Sequence, residues 1–174
     1  IARRGAAVRL EPAAFARIAA TRMELEADLA TGRTIYGVNT GFGALSDTPI
    51  PSDQGAQLQL NLLRSHAMGV GAPLPVDTVR AILALRTHTL ALGASGVRVA
   101  LLEALLAMLR ADVIPIVPSQ GSVGASGDLA PLAHIALVVV GEGEAMLRGE
   151  RMPGHTALAR AGLELSDIGL VDLH

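Results

Sequence analysis

The residue types that could do chemistry crowd into one stretch, Ser119-Gln120-Gly121-Ser122-Val123-Gly124-Ala125-Ser126-Gly127-Asp128-Leu129-Ala130-Pro131-Leu132-Ala133-His134. Glycines at positions 121, 124 and 127 permit positive φ and close backbone approach. Three chemistries use loops of this kind. A phosphate cradle of the Walker type needs a lysine after its last glycine, and all 14 basic residues here are arginine. A dinucleotide fingerprint wants a different glycine spacing. A serine nucleophile at an elbow needs Gly-x-Ser-x-Gly, whereas Gly124-Ala125-Ser126-Gly127-Asp128 ends on aspartate. The third chemistry is backbone cyclisation. The Gly127 nitrogen attacks the Ala125 carbonyl, unhindered by a side chain. Loss of two waters, one carrying the Ser126 hydroxyl oxygen, leaves an exocyclic methylidene. Such an electrophile lies outside the repertoire of ordinary side chains.

The elements that must position this loop are legible on either side of it. An extended apolar run, Val113 to Val117, is closed by Pro118 and leads in. An apolar helix from Leu129 to about Val140 leads out, with Asp128 suited to its cap and Pro131 tolerated in its first turn. The loop therefore faces the positive end of a helix, worth roughly half a unit charge.

Upstream, Pro12 to Leu29 has helical periodicity through Phe15, Ile18, Leu25 and Leu29, interrupted by Arg22, and Gly32 can end it. Thr34 to Gly43 follows as a short apolar start and a glycine-rich loop holding the single tyrosine, Tyr36. By spacing alone this is a strand-turn with a packed tyrosine. Leu45 to Pro51 is turn-rich, and Ser52 or Asp53 caps a helix reaching about Met68. On that helix Leu58, Leu62 and His66 form one stripe, and Gln57, Asn61 and Ser65 a polar one beside it. The polar stripe is either a solvated face or a site lining.

Gly69, Gly71 and Pro73 break the chain. Helices then run from Asp77 to Leu92 and from Val97 to Arg110, the second with a core stripe of Leu101, Leu102, Leu105, Leu106 and Leu109. His88 is expected at a surface or interface. Ala94-Ser95-Gly96 repeats the cyclisable tripeptide, but reads as a helix end followed by a helix start. Beyond the central loop, Ala145 to Met152 forms a hairpin about Arg148-Gly149-Glu150, and a short helix spans Thr156 to Ala161. Glu142 and Glu144 belong to a solvated turn rather than an acid/base pair.

Composition narrows the class. The 174 residues make one domain or a piece of a larger one. Aromatic content is 2% against 51% hydrophobic, so the core is built from aliphatics, a mix that favours helices. A net charge of −2 argues against a nucleic-acid surface. With no cysteine there is no disulfide or thiolate metal site, and the five histidines lack metal-ligand spacing. No apolar run approaches the ~18 residues of a membrane span.

The run Gly121 to His134 resembles the signature of the aromatic amino-acid ammonia-lyases, in which Ala-Ser-Gly becomes a 4-methylidene-imidazole-5-one (MIO) group. Tyr36-Gly37-Val38-Asn39-Thr40-Gly41-Phe42-Gly43 is similar to that family's second signature, and Leu62-Leu63-Arg64-Ser65-His66 to its substrate-facing segment, with the Ser-His pair most like histidine ammonia-lyases. The resemblance covers roughly Ala13 to Gly169.

It implies a mainly α fold, the N-terminal MIO-bearing region of a helical lyase, with short strands and a hairpin. MIO derives from Ala125, Ser126 and Gly127 and accepts the substrate amine. Tyr36 takes the β proton, work that needs a stabilised phenolate because a free phenol titrates near ~10. His66 contacts the substrate ring, Gly43 leaves room beside it, and Leu129 lines the pocket. For histidine the products are urocanate and ammonia.

Tyrosine lyase or aminomutase activity, or a non-catalytic oligomeric scaffold, are the alternatives. The resemblance further implies a cytoplasmic homotetramer acting on a small amino acid, with no nucleic-acid or membrane partner. The family's later helical bundle has no counterpart in residues 1–174. The chain is therefore expected to be an N-terminal fragment with little activity alone, in which MIO formation is itself in question.

Overall fold

A computed structural model describes residues 1–3, 5–41, 43, 46–124 and 127–163. Among these residues six α-helices and five short strands follow in the order α1 (Pro12–Ala30), α2 (Gly55–His66), β1 (Val70–Pro73), α3 (Val76–Ala91), α4 (Val99–Ala111), β2 (Val113–Pro115), β3 (Pro118–Gln120), α5 (Leu129–Val139), β4 (Glu144–Leu147), β5 (Glu150–Pro153) and α6 (Gly154–Arg160). The mainly α expectation holds, and helix limits fall within a few residues of those read from periodicity. All strand pairs are antiparallel. One sheet joins β1 to β3, and the other has the order β2-β4-β5.

The core lies between α3, α4 and α5 and the three-stranded sheet. Leu83, Leu90, Leu102, Met108, Val113, Ile114, Val138 and Leu158 are all essentially inaccessible within it. The leucine stripe of α4 explains why that helix sits at the centre: four of its five leucines are buried, and Ala104 and Met108 extend the same face. Asp112 ends the helix in a left-handed conformation, φ 59°, and turns the chain straight into β2. Its carboxylate pairs with the buried Arg80 of α3, tying the two helices at that end.

Helix α1 docks on the far end of α3. Helix C-termini leave carbonyls without partners, and α1 supplies them: Thr21 Oγ1 donates to Gly93 O at 2.6 Å and Arg17 Nη2 to Ala91 O at 3.4 Å. Arg22, which interrupts the apolar face, is buried and held by Glu26 at 2.6 Å, reaching Gly96 O at 3.4 Å. Gly96 itself packs so closely that a Cβ there would lie 2.7 Å from Leu25 Cδ2. The second Ala-Ser-Gly tripeptide is thus a helix–helix joint, as its spacing suggests.

Some expectations are corrected. The segment read as a break at Gly69-Gly71-Pro73 contains strand β1, bulged at Gly71 (φ 90°) so that it pairs with β3 despite its glycine and proline. Ser52–Gln54 forms a 3-10 turn ahead of α2, whose start has no side-chain cap. Thr34 and Ile35 form no strand, and Tyr36 to Val38 is turn. The hairpin stands, with Arg148 (φ 52°) and Gly149 (φ 84°) at its turn, the paired positive φ that two-residue hairpins require. It gains β2 as a third strand, in register Ile114 to Met146.

Candidate functional site

The loop from Gly121 is pinned at its entrance. A Cβ on Gly121 would lie 3.1 Å from both Gly69 Cα and Ala130 Cβ, so the segment leaving α2, the loop and the first turn of α5 meet there with little slack for a side chain. At its exit, Gly127 (φ 69°) and Asp128 (φ 61°) take consecutive left-handed conformations before α5 begins. Asp128 occupies the cap position without making the expected side-chain cap bond. Its left-handed φ, uncommon outside glycine, accompanies the reversal of the chain here.

Ala125 and Ser126 lie outside the described residues. Their described flanks fit an MIO group. Attack of the residue-127 nitrogen on the residue-125 carbonyl needs a compact bend, and the left-handed φ of Gly127 is compatible with one. Cβ positions built on Gly124 and Gly127 meet no atom within 4 Å. Gly124 and Gly127 therefore leave space beside the backbone.

Beside this turn, Tyr36, His66 and Leu129 line a single cavity of about 460 Å³, although they are far apart in sequence. Each is presented by a different device. Tyr36 sits on a turn fastened by Asn39, whose Oδ1 accepts from Ile35 N (2.7 Å) and whose Nδ2 donates to Arg33 O (2.9 Å). The buried Thr40 accepts from Gly37 N through Oγ1 (3.1 Å), and the loop's return strand closes through Ile50 N to Asn39 O (2.9 Å). Asn39 and Thr40 of the second signature are thus scaffolding, while Tyr36 remains 64% exposed and accessible to a ligand.

His66 ends α2. Its Nδ1–H donates to Leu62 O at 2.9 Å, and Ser65 Oγ lies 3.1 Å away. A carbonyl can only accept, so the neutral ring carries its proton on Nδ1 and leaves Nε2 as an acceptor. Leu129 opens α5 and is 47% exposed toward the cavity. Leu90, Val97, Leu101 and Leu105 contribute apolar surface.

Gly43, expected beside the substrate, is exposed with φ 56° and does not line the cavity. The polar stripe Gln57, Asn61 and Ser65 faces solvent, with Gln57 Nε2 donating to Asn61 Oδ1 at 2.8 Å. His88 is exposed. Glu142 and Glu144 pair with Arg64 and Arg151, whose hydrogen bonds hold both carboxyls below the usual range.

Two contributors were missed from sequence. Arg86 reaches the cavity from α3, one position beside the buried stripe Val79, Leu83, Thr87 and Leu90. His134 lies on α5 outside the cavity lining, where its Nε2 accepts from Gly69 N at 3.1 Å, and burial pushes its pKa below the ordinary value. Arg86 could have been found by extending the helical face. The His134 contact joins residues 65 apart and has no local signal.

Another cavity, of about 480 Å³, lies under the N-terminal arm. Of its arginines, Arg3 pairs with Asp77, Arg80 with Asp112, and Arg110 donates to Val8 O. None of the expected site residues among the described residues lines it. No helix among the described residues is long and apolar enough to cross a membrane.

Comparison with known proteins agrees with the motifs. Residues 1–172 match the family of aromatic amino acid lyases. A histidine ammonia-lyase from Anaeromyxobacter sp. (strain K) is 54% identical over 162 residues, which is 89% of this chain and 32% of that protein. Among solved structures, Pantoea agglomerans phenylalanine aminomutase superposes with a TM-score of 0.89 at 35% identity, covering 94% of this chain and 31% of that one. Trypanosoma cruzi histidine ammonia-lyase gives 0.84 at 38%, covering 93% and 31%. The chain spans about a third of the length of these relatives. The match over nearly its whole length shows that this chain belongs to the aromatic amino acid lyase family.

Proposed function

We propose that the protein to which this chain contributes deaminates histidine to urocanate and ammonia, and that residues 1–174 form its MIO-bearing domain. The observation that carries the reading is the convergence of Tyr36, His66 and Leu129 on one cavity beside the turn at Gly127 and Asp128. The similarity to histidine ammonia-lyases supports the choice of substrate. Ala125, Ser126 and Gly127 would form the MIO group, which when present supplies an electrophile for an amine.

The chain's own residues do the rest. Tyr36, exposed on a turn fastened by Asn39, is placed to remove the substrate's β proton. His66, with Nε2 left as an acceptor, receives an N–H from the substrate imidazole. Leu129 and the α4 leucines exclude water from one side of the ring. The N-terminus of α5 favours negative charge developing near the turn. The wider functional assignment includes a cytoplasmic homotetramer acting on a free amino acid.

A second reading keeps the same chemistry but returns ammonia to the β carbon, as an aminomutase. The fold match to Pantoea agglomerans phenylalanine aminomutase favours weighing it. Incubating the whole protein with histidine, and separately with tyrosine and phenylalanine, decides between them. Urocanate from histidine, lost in Ser126→Ala, is expected. A β-amino acid product would favour the second reading. An unchanged rate in Ser126→Ala would end both, and absence of turnover with all three substrates would favour a non-catalytic scaffold.

A further inference from the structure

We propose that His134 is a positioning residue whose neutral Nε2, by accepting the Gly69 N–H, sets the placement of His66 relative to the loop that precedes α5. This role rests on the functional reading above only for its consequence in substrate binding. The hydrogen bond and its geometric effect stand apart from it.

Three contacts meet at one junction. Gly69 N donates to His134 Nε2 at 3.1 Å, so the proton of the neutral ring resides on Nδ1. The approach is tight, since a Cβ on residue 69 would lie 3.0 Å from Nε2 and 3.2 Å from Pro118 Cβ, and a neighbour would have to give by a few tenths of an ångström. Gly121, the loop's first glycine, abuts Gly69 Cα from the other side. The chain from His66 to Gly69 is short and itself fastened, with Ala67 N bonded to Leu63 O (3.0 Å) and Met68 N to His66 O (2.8 Å). Immediately beyond, Val70 pairs with Gln120 at the loop's entrance. A shift of Gly69 is therefore transmitted to His66 on one side and to the loop on the other.

His134 is suited to this because it is half-buried and outside the cavity lining, five residues along α5 from Leu129. Burial favours its neutral form, the one able to accept. Without an acceptor the Gly69 N–H would be left unpaired in a crowded site, which costs more than a missing surface bond. Glutamine can place an oxygen near the Nε2 position, whereas leucine fills similar space with no acceptor.

The test uses the whole protein, ¹⁵N-labelled at histidine and glycine, by NMR. In the wild type, Nε2 of His134 is expected to be the unprotonated, accepting nitrogen, with a slowly exchanging Gly69 amide. A proton on Nε2 at neutral pH would overturn the proposal, with no variant needed. In His134→Leu the Gly69 amide should exchange about 10-fold faster or more, and the His66 ring and Gly127 amide resonances should move. His134→Gln should restore all three. Unchanged exchange in His134→Leu, or a glutamine variant that behaves like leucine, would refute it.

In the whole protein, His134→Leu should raise KM for histidine more than it lowers kcat, with glutamine rescuing. Equal kinetic loss in both variants would contradict the positioning role. If the whole protein turns over no histidine, the spectroscopic arm still decides, and the fault then lies with the proposed substrate.

Discussion

Replacing Gly121 with alanine tests the junction on which the site geometry depends. The new Cβ would stand 3.1 Å from Gly69 Cα and 3.1 Å from Ala130 Cβ, against an ordinary contact of 3.4–4 Å. Neither neighbour can rotate away. One is backbone, and the other is a methyl fixed to the first turn of α5. Each must retreat by a few tenths of an ångström. Overpacking of this kind costs about 1–3 kcal/mol. For a domain of this size that is a fall in Tm of about 2–12 °C. Gly124→Ala is the internal control, because a Cβ there meets nothing within 4 Å and its φ is not positive. Alanine at 124 should change stability by less than about 1 kcal/mol, in either direction. Thermal and urea unfolding followed by circular dichroism on both variants reads the difference. Equal stability of the two variants would refute the claim that the β1 lead-in, the loop and α5 are packed without slack.

Leu102→Ala removes a fully buried side chain from the middle of α4 and should cost about 2–5 kcal/mol in urea unfolding. The pH dependence has two separable windows. Burial lowers the His134 pKa in the folded chain, so below the ordinary value of 6.5 the unfolded chain binds more protons. That contribution is full above pH 6.5 and is lost as pH falls toward the folded value, and His134→Gln should flatten this part of a stability–pH curve. Glu142 and Glu144, lowered by hydrogen bonds from Arg64 and Arg151, lose theirs only below their ordinary 4.5. Tyr36→Phe in the whole protein should lower kcat by about 10²–10⁴-fold. A fall in Tm with kcat intact would reverse its assignment to scaffold.

Local regularities were legible in the sequence, and long-range ones were not. Helices α1, α3 and α4 announce themselves through leucine and isoleucine spacing, because burial on one face imposes that period. The hairpin was legible from Arg148-Gly149-Glu150, although the turn is only Arg148-Gly149 and Glu150, in β5, already pairs with Leu147. Strand β1 was hidden, since Gly71 and Pro73 are poor strand residues and pair with β3 only through a bulge. The attachment of β2 to β4 has no local signature.

At the site, Tyr36, His66 and Leu129 were found by type and motif, and the fold brings them to one cavity. Asn39 was read as part of a motif but is also the fastener of its turn, a role visible only once Ile35 N and Arg33 O are seen to meet it. Asp128 has cap chemistry by type, yet the turn places it in a left-handed conformation without a cap bond. The hydrogen bond from Gly69 to His134 depends on a packing arrangement that no window of sequence contains.

The central claim is that residues 125–127 condense with their own backbone to make an electrophile. The direct measurement is the mass of the peptide spanning residues 121–134, isolated from whole protein that turns over its substrate. The peptide should be lighter than its unmodified sequence by two water molecules, and after Ser126→Ala it should have the full mass of the variant's own sequence. An unmodified mass in an actively deaminating preparation would contradict it.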